Sequence, residues 1–599
     1  MDERLSFNTY YQSELTALRQ LGSRFAERNP ALASFLGQAG QDPDVERLLE
    51  GFAFLTGRLR QKLDDELPEL THSLMQLLWP NYMRPFPAVS MLQFEPLEHS
   101  GTGVVVARGT PVESHPVEDA VCHFRTCYET TVLPLRLSAL NCSVNGTGVL
   151  LGLRLEMNGD GHIGSLELNR LRLHFAGESY VSQTLYLGVM HNLEKISLTP
   201  LDAEGNPFTT TGDKTVSFTL PVDRVKAVGF AEEEALIPYP LNTFRGYRYL
   251  QEYFVFKEKY LFVDVLGLEI INSLAPQILE KVRSVELSFD IAKNEIQRLR
   301  PTLQNIKLYC TPIVNLFKQD ALPVRLEGTQ DEYRLLTGEH DSRKCGIFSV
   351  DKVTGWQPGG LGYQEFVLFE SFEHDPSFDV QQPRPYYSIR QHPSPLHDGL
   401  DTYLSFDGRQ TRQHETISVE LTCTQQDLPL QIAVGGICRP CEETPDFLKF
   451  RNITPATRSF APPLHKEFLW RVISNMSLNY LSLNNVSALK CILETYDFPR
   501  YYDQQAERVS KQLLNGLKSI RHEPVDHLYR GLPVRGLKTE LLIDAQCCAG
   551  EGGLFVFASV LNEFFALYAS LNSFHELHVR STQGEVYEWT PRMGLQPLI

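Results

Sequence analysis

A proline cluster divides this chain into two kinds of sequence. The segment WPNYMRPFP, Trp79 to Pro87, carries Pro80, Pro85 and Pro87. Proline lacks the N–H that a helix interior needs, and its ring pushes the preceding residue into extended conformation. Before the cluster, apolar residues recur at three- and four-residue steps, the period of a helix. After it they alternate, the period of a strand. The cluster therefore marks a domain boundary.

On the N-terminal side, Tyr11, Leu15, Leu18, Gly22 and Phe25 share one helix face. Asn29-Pro30 supplies an N-cap and a first-turn proline for a short helix around Ala31 to Leu36, and Asp42-Pro43 repeats the device for a longer one. On that longer helix Val45, Leu48, Phe52, Leu55, Leu59, Leu63 and Leu67 form an apolar stripe, with Glu46, Glu50, Arg60 and Asp64 opposite. A stripe of that length wants partner helices. Pro68 is expected to open a further helix with Leu70, Leu74, Leu77 and Leu78 inward.

Beyond the cluster, residues 88 to 230 alternate. GVVVARGTPV, GVLLGLRLEM, the run through Leu171, Leu173 and Phe175, and TVSFTL read as strands, with a short helix near Tyr180 to Met190. Residues 231 to 440 mix strands with short helices. YLFVDVLGLEI, VRSVELSFDI and ISVELTCT are strands there, Thr311-Pro312 predicts a break, and Gly355 to His397 predicts a long loop. From 441 to 599 helices return: Phe468 to Leu483, Val486 to Tyr496, and Phe555 to Asn572, the last with Val556, Val560, Phe564, Leu567 and Leu571 on one face. Glu576 to Glu588 predicts a closing strand pair. The fold class expected is α+β and multi-domain: a helical N-terminal bundle (1–87), a β-rich domain (88–230), a mixed β/α domain (231–440) and an α+β C-terminal domain (441–599). Its 599 residues exceed what one compact core accommodates.

Composition excludes several classes of function. The net charge of -17 repels a phosphate backbone, and the densest basic piece, KSIRH from Lys518 to His522, is too short to reverse that field. The opening residues are acidic and carry no apolar core of a signal peptide. The most apolar stretch, GLFVFASVLNEFFALYASL, holds Asn562 and Glu563 at its middle, so it reads as a buried or interface helix and not as a membrane span. A cytosolic location follows as an expectation. Eleven cysteines, an odd number without a framework spacing, fit reduced thiols in that compartment.

Motifs for chemistry were sought and mostly fall short. Cys438 and Cys441 form one CxxC without a second pair or matched histidines, so two ordinary thiols are favoured over half a zinc site or a redox pair. Cys547 and Cys548 are adjacent and read as small apolar residues. HEPVDH, His522 to His527, gathers two histidines and two carboxylates, but Pro524 prevents the helix of an HExxH zinc site, and a solvated loop is expected. Ser487 and Lys490 have SxxK spacing without its companion motifs. No catalytic, cofactor-binding or metal-binding residues are assigned, and no cofactor is expected. The aromatic run from Phe244 to Phe262 has two readings. Tyr247, Tyr249, Tyr253 and Phe254 belong to a domain core and its cover, or they are interface anchors.

The segments without chemistry carry a resemblance instead. DPDVERLLEGFAFLTGRLRQKLDDELPELTHSLMQLLWP, YMRPFPAVSMLQFEP, FRGYRYLQEYFVFKEKYLFVDV, LYCTPIVNLF with PVRLEG and EYRLL, LTCT, WRVISNMSLNYLSL, FASVLNEFFALYASLNSFHEL and PRMGLQPLI follow in order over nearly the whole chain. Together they resemble the TssF family, also called ImpG or VasA, of bacterial type VI secretion systems. The resemblance implies a structural wedge component of a phage-tail-like baseplate, with no enzyme activity. It implies two copies paired around one TssG, TssK attached mainly through TssG, TssE linking wedge to sheath, and assembly around a VgrG hub. It implies a cytoplasmic complex docked against the membrane-spanning channel, without nucleic acid and without membrane insertion. Laid onto this chain, it makes Val45, Leu48, Phe52, Leu55, Leu59 and Leu63 the candidate interface with TssG and the second copy. The competing reading buries that stripe against the chain's own helices near Leu15, Leu18 and Phe25. The rival class of function is a β-rich hydrolase or ligand-binding protein, which needs facing carboxylates, convergent metal ligands or a formed pocket.

Overall fold

The computed structural model describes residues 11–12, 15–16, 18–19 and 43–594, apart from 98–102, 147, 160, 210–213, 241–245, 294, 327–329, 339–344, 358–361, 371–384, 395–399, 407–414, 442–443, 446, 463–471, 473–484, 530 and 571. It forms two compact units. One is Met1–Leu78 with His465–Trp470; the other is Trp79–Leu464 with Arg471–Ile599.

In the first unit the described backbone is dominated by one helix, α1 (Pro43–Leu78), of 36 residues. Pro43 opens it, where a missing N–H costs nothing. At 1.5 Å per residue the helix is about 54 Å long. The break expected at Pro68 does not occur, since one lost backbone hydrogen bond does not end a helix whose other turns keep theirs. The short helix expected around Ala31 to Leu36 lies outside the described residues, as does most of that expected over Phe468 to Leu483.

The second unit is strand-rich. A six-stranded sheet has the order Ile437–Pro440, Pro111–Ser114, His123–Thr126, Cys310–Val314, Val89–Phe94, Phe450–Asn452. Its strands come from all three stretches that follow the proline cluster. The divisions expected at 230 and 440 therefore run through hydrogen-bonded sheet; they mark changes of sequence texture and not edges of independent cores. A five-stranded sheet repeats the lesson, pairing Leu193–Leu201 with Ser284–Ile291 across residue 230. A four-stranded sheet sets Phe262–Leu266 against Arg170–Phe175, with Val263 opposite Leu173. The break expected at Thr311-Pro312 is also absent. Cys310–Val314 pairs with Val89–Phe94 right through Pro312, and pairing with His123–Thr126 starts only at Ile313, so the missing N–H interrupts no ladder.

An eight-stranded sheet occupies Phe317 to Thr424 around Val353, Leu404, Ile417 and Leu421. It includes Gly362–Leu368 and Tyr386–Pro393, inside the stretch Gly355 to His397 where a long loop was expected. Residues 371–384 of that stretch lie outside the described residues. The closing sheet holds the hairpin Leu517–Tyr529 and Leu532–Ile543, then Phe574–Ser581 parallel to its second strand, then Val586–Glu588. HEPVDH is thus strand and not loop, because an edge strand tolerates Pro524.

Five longer helices pack among these sheets: α2 (Ser179–Met190), α3 (Gly246–Phe256), α4 (Val486–Tyr496), α5 (Gln504–Gly516) and α6 (Glu551–Ala566). The last starts earlier and ends sooner than expected. It also has no solvent face, since every residue from Gly552 to Phe565 is buried. It packs on α2 and α3. A Cβ at Gly552 would lie 2.5 Å from the backbone of Gln183, so only glycine lets α2 and α6 approach that closely.

Candidate interaction site

The stripe on α1 turns outward. Leu48 is 74% exposed, Phe52 57% and Leu55 66%, on successive turns of one face. The small residues Ala53 and Gly57, one turn apart, are buried instead. No described residue covers these three side chains. The side chains of Val45, Leu59 and Leu63, and Phe25 of the competing reading, lie outside the described residues. Three large apolar groups on one helix face are thus left facing water.

The aromatic run behaves oppositely. Tyr247, 2% exposed, stacks on Tyr496 at 4.4 Å, meets Trp79 edge-on at 5.1 Å and pairs its hydroxyl with that of Tyr568 at 3.1 Å. Tyr249 is buried and donates to the carbonyl of Phe230 at 3.0 Å. Tyr253 and Phe254 are half-buried, Tyr253 against Phe557 of α6. The anchor reading is thus withdrawn for Tyr247 and Tyr249, because a side chain enclosed by its own fold presents nothing to a partner.

That helix and the turn after it carry charges that sequence reasoning missed. Glu252 and Lys259 are both fully buried and form an ion pair. Glu252 Oε1 also accepts from the backbone N–H of Leu236 at 2.8 Å, and Lys259 donates to the carbonyl of Glu234 at 3.1 Å. Arg248 donates to the carbonyls of Phe230 and Ala231. Next to them Arg172 forks onto Asp264 at 2.7 and 2.8 Å and reaches Glu234 at 3.2 Å. Burial pulls the Lys259 amine down to about 8, against the opposing pull of Glu252. Burial likewise opposes charge on Arg172, but Asp264 outweighs it and raises that guanidinium. The network ties the loop 228–236 to α3 through these hydrogen bonds and ion pairs, which makes it a clamp. Its visible signal was the four-residue step from Arg248 to Glu252 inside an aromatic run.

The remaining motifs do not assemble chemistry. Cys438 lies on the strand Ile437–Pro440, its Sγ 3.1 Å from His115 Nε2. At ~3.3 Å per residue an extended run sets Cys438 and Cys441 about 10 Å apart, too far for a disulfide. His522 and His527 stand an odd number apart on one strand and face opposite sides. His522 meets Thr539 at 2.7 Å and His527 meets Glu576 at 2.9 Å. Ser487 sits exposed in the first turn of α4, capped by Asn485. Burial pushes the Cys548 thiol up to about 12. Among the described residues no group of three or more His, Cys, Asp or Glu side chains could hold a metal ion. No described helix is long and apolar enough to cross a membrane.

An extensive strand-rich scaffold with clamped interior charges and an uncovered helical face belongs to the class of structural assembly proteins. Comparison with known proteins makes the class specific. The family described as "Type VI secretion system, TssF" matches residues 1–596, so the chain belongs to the TssF family. It is similar to the type VI secretion system component TssF1 of Pseudomonas aeruginosa, with 29% identity over 98% of each chain. A TssK-TssF-TssG baseplate subcomplex seen by electron cryo-microscopy contains a chain with a TM-score of 0.75 and 31% identity, covering 92% of this chain and 99% of that one. A second structure, of the type VI baseplate complex, matches at a TM-score of 0.61 and 26% identity over 99% of this chain and 100% of that one. The function is that of a structural component of the type VI secretion baseplate.

Proposed function

We propose that this chain builds a baseplate wedge by docking the outward face of α1 on TssG and on a second copy of itself. The observation that carries this reading is the exposure of Leu48, Phe52 and Leu55 on a helix that buries Ala53 and Gly57. Covering a Phe or Leu side chain yields about 1.5–3 kcal/mol each, enough for three neighbours to dominate an interface. The matching subcomplex holds TssF beside TssK and TssG. Carried to this chain, TssG is the direct partner of α1, TssK joins mainly through TssG, TssE connects the wedge to the sheath, and the wedges surround a VgrG hub. The work is structural and not catalytic. It is done in the cytoplasm, at the inner face of the membrane channel complex.

The test is to substitute Phe52→Asp together with Leu55→Asp, co-express with TssG, and weigh the complex by native mass spectrometry. Expected is loss of the complex with circular dichroism and melting of the isolated chain unchanged. Retention of two copies per TssG in the double variant sinks the docking face.

A further inference from the structure

A cavity of about 470 Å³ lies at the root of the terminal hairpin, and the assembly reading makes no use of it. The strand Phe574–Ser581 pairs with the hairpin only from Leu537 onward, so Val525–Tyr529 and Leu532–Gly536 run on beyond the sheet. The cavity sits at this step. Arg535, Leu537, Thr539, Phe565, Phe574 and His575 are among its lining residues. Its volume falls within the roughly 300–1,000 Å³ of ligand pockets and exceeds what one lost water would leave.

Two of its polar groups are unspent. His575 is 3% exposed. Its Nε2 lies 2.8 Å from Thr539 Oγ1, which also meets His522 Nδ1 at 2.7 Å. One hydroxyl proton serves one imidazole, so the other imidazole donates to that oxygen. Either arrangement leaves His575 Nδ1 without a partner among the described residues. A buried polar atom left so carries its desolvation cost, which a ligand placed there recovers. The second group is Arg535, exposed and without an ion pair among the described residues. Among the described residues no carboxylate lines the cavity. The rest of the lining supplies apolar surface, including the Phe565 ring stacked on His575 at 5.5 Å.

We propose that this cavity binds a carboxylate carried on an aromatic body, with the carboxylate on Arg535, the ring between Phe565 and Phe574, and a hydrogen-bonding group on His575 Nδ1. Arg535 gives the planar fork that a carboxylate matches. The sources of this chemistry are a free organic acid or an acidic aromatic stretch of another protein.

The experiment is saturation-transfer NMR and calorimetry on the full chain with para-hydroxyphenylpropionate, its alcohol analogue, and phenylpropionate lacking the ring hydroxyl. The acid is expected to bind, the alcohol about tenfold more weakly. Arg535→Glu removes the preference for the acid. His575→Phe, checked for an unchanged melting temperature, removes the advantage of the ring hydroxyl. Equal binding of acid and alcohol, an acid preference that survives Arg535→Glu, or no binding of the acid overturns the proposal. Acetyl-Tyr-Glu-amide separates the sources: tighter binding than the free acid assigns a protein segment, weaker binding a small molecule. None of these outcomes bears on the TssG face.

Discussion

Two helices of this chain, α1 and α6, are rich in large apolar residues and use them in opposite ways. In α6 every residue from Gly552 to Phe565 is enclosed, including Asn562 and Glu563. Burial pushes the Glu563 carboxyl up, and Arg592 opposes the push by pairing with it. Glycines at its start admit a neighbouring helix backbone. In α1 Ala53 and Gly57 are buried, while Leu48, Phe52 and Leu55 face water. A helix enclosed all round organises its own unit; α1 instead leaves large apolar groups on its surface, the face proposed above for docking.

The sharpest way to break this contrast is a matched charge in each helix. Val560→Asp, at a fully enclosed site, should cost about 4 kcal/mol or more and leave no soluble folded chain on size exclusion. The same charge at Phe52 should leave thermal unfolding within about 0.5 kcal/mol of the parent.

The clamp beside α3 comes next. Lys259→Met leaves Glu252 paired in the interior only with Arg248, at 3.6 Å, and should cost about 3 kcal/mol in urea unfolding. Adding Glu252→Gln should deepen that loss, because Arg248 then loses its buried carboxylate. Full recovery in the double variant would show that Glu252 alone carried the cost. For α1 the expected loss is in association: Phe52→Asp with Leu55→Asp should weaken TssG binding about 100-fold, read by titration of labelled TssG.

The smallest effect is on pH dependence. His174, stacked on Phe262 at 4.3 Å, has its imidazole lowered by burial to about 3. The unfolded chain takes up this proton near pH 6.5, but the folded chain does not until about pH 3. The unfolded state therefore binds more protons between those values, and stability falls as pH falls through that window. The contribution of one such group is about 1 kcal/mol between pH 6.5 and 5.5. Asp497, raised by burial to about 6, acts in the opposite sense over its own window. His174→Phe should flatten the acid limb of the stability curve by one proton, and an unchanged slope would refute the buried neutral imidazole.

Local signals carried much of the secondary structure. Alternation marked Gly148–Met157, Ser284–Ile291 and Thr416–Thr424, and helical period marked Val486–Tyr496. Prolines misled at Pro68, Pro312 and Pro524. Each removes one N–H, and whether that N–H was needed depends on neighbours distant in sequence. The Gly- and Pro-rich stretch after Gly355 holds the strands Gly362–Leu368 and Tyr386–Pro393, which its composition did not announce. The divisions at 230 and 440 failed because strand partners come from hundreds of residues away, as Val89–Phe94 does with Phe450–Asn452.

By itself the sequence determined the family, the helical and strand periods, and which residues formed the apolar stripe on α1. Periodicity and order of segments are local properties, readable along the chain. Only the tertiary structure decided which apolar faces are enclosed. It placed Tyr247 in a core and Phe52 in water, although both lie in apolar-rich helices, because burial is set by what packs from elsewhere. It also brought Arg535, Thr539 and His575 around one cavity and left a buried imidazole nitrogen there without a partner. No spacing along the chain announces that juxtaposition.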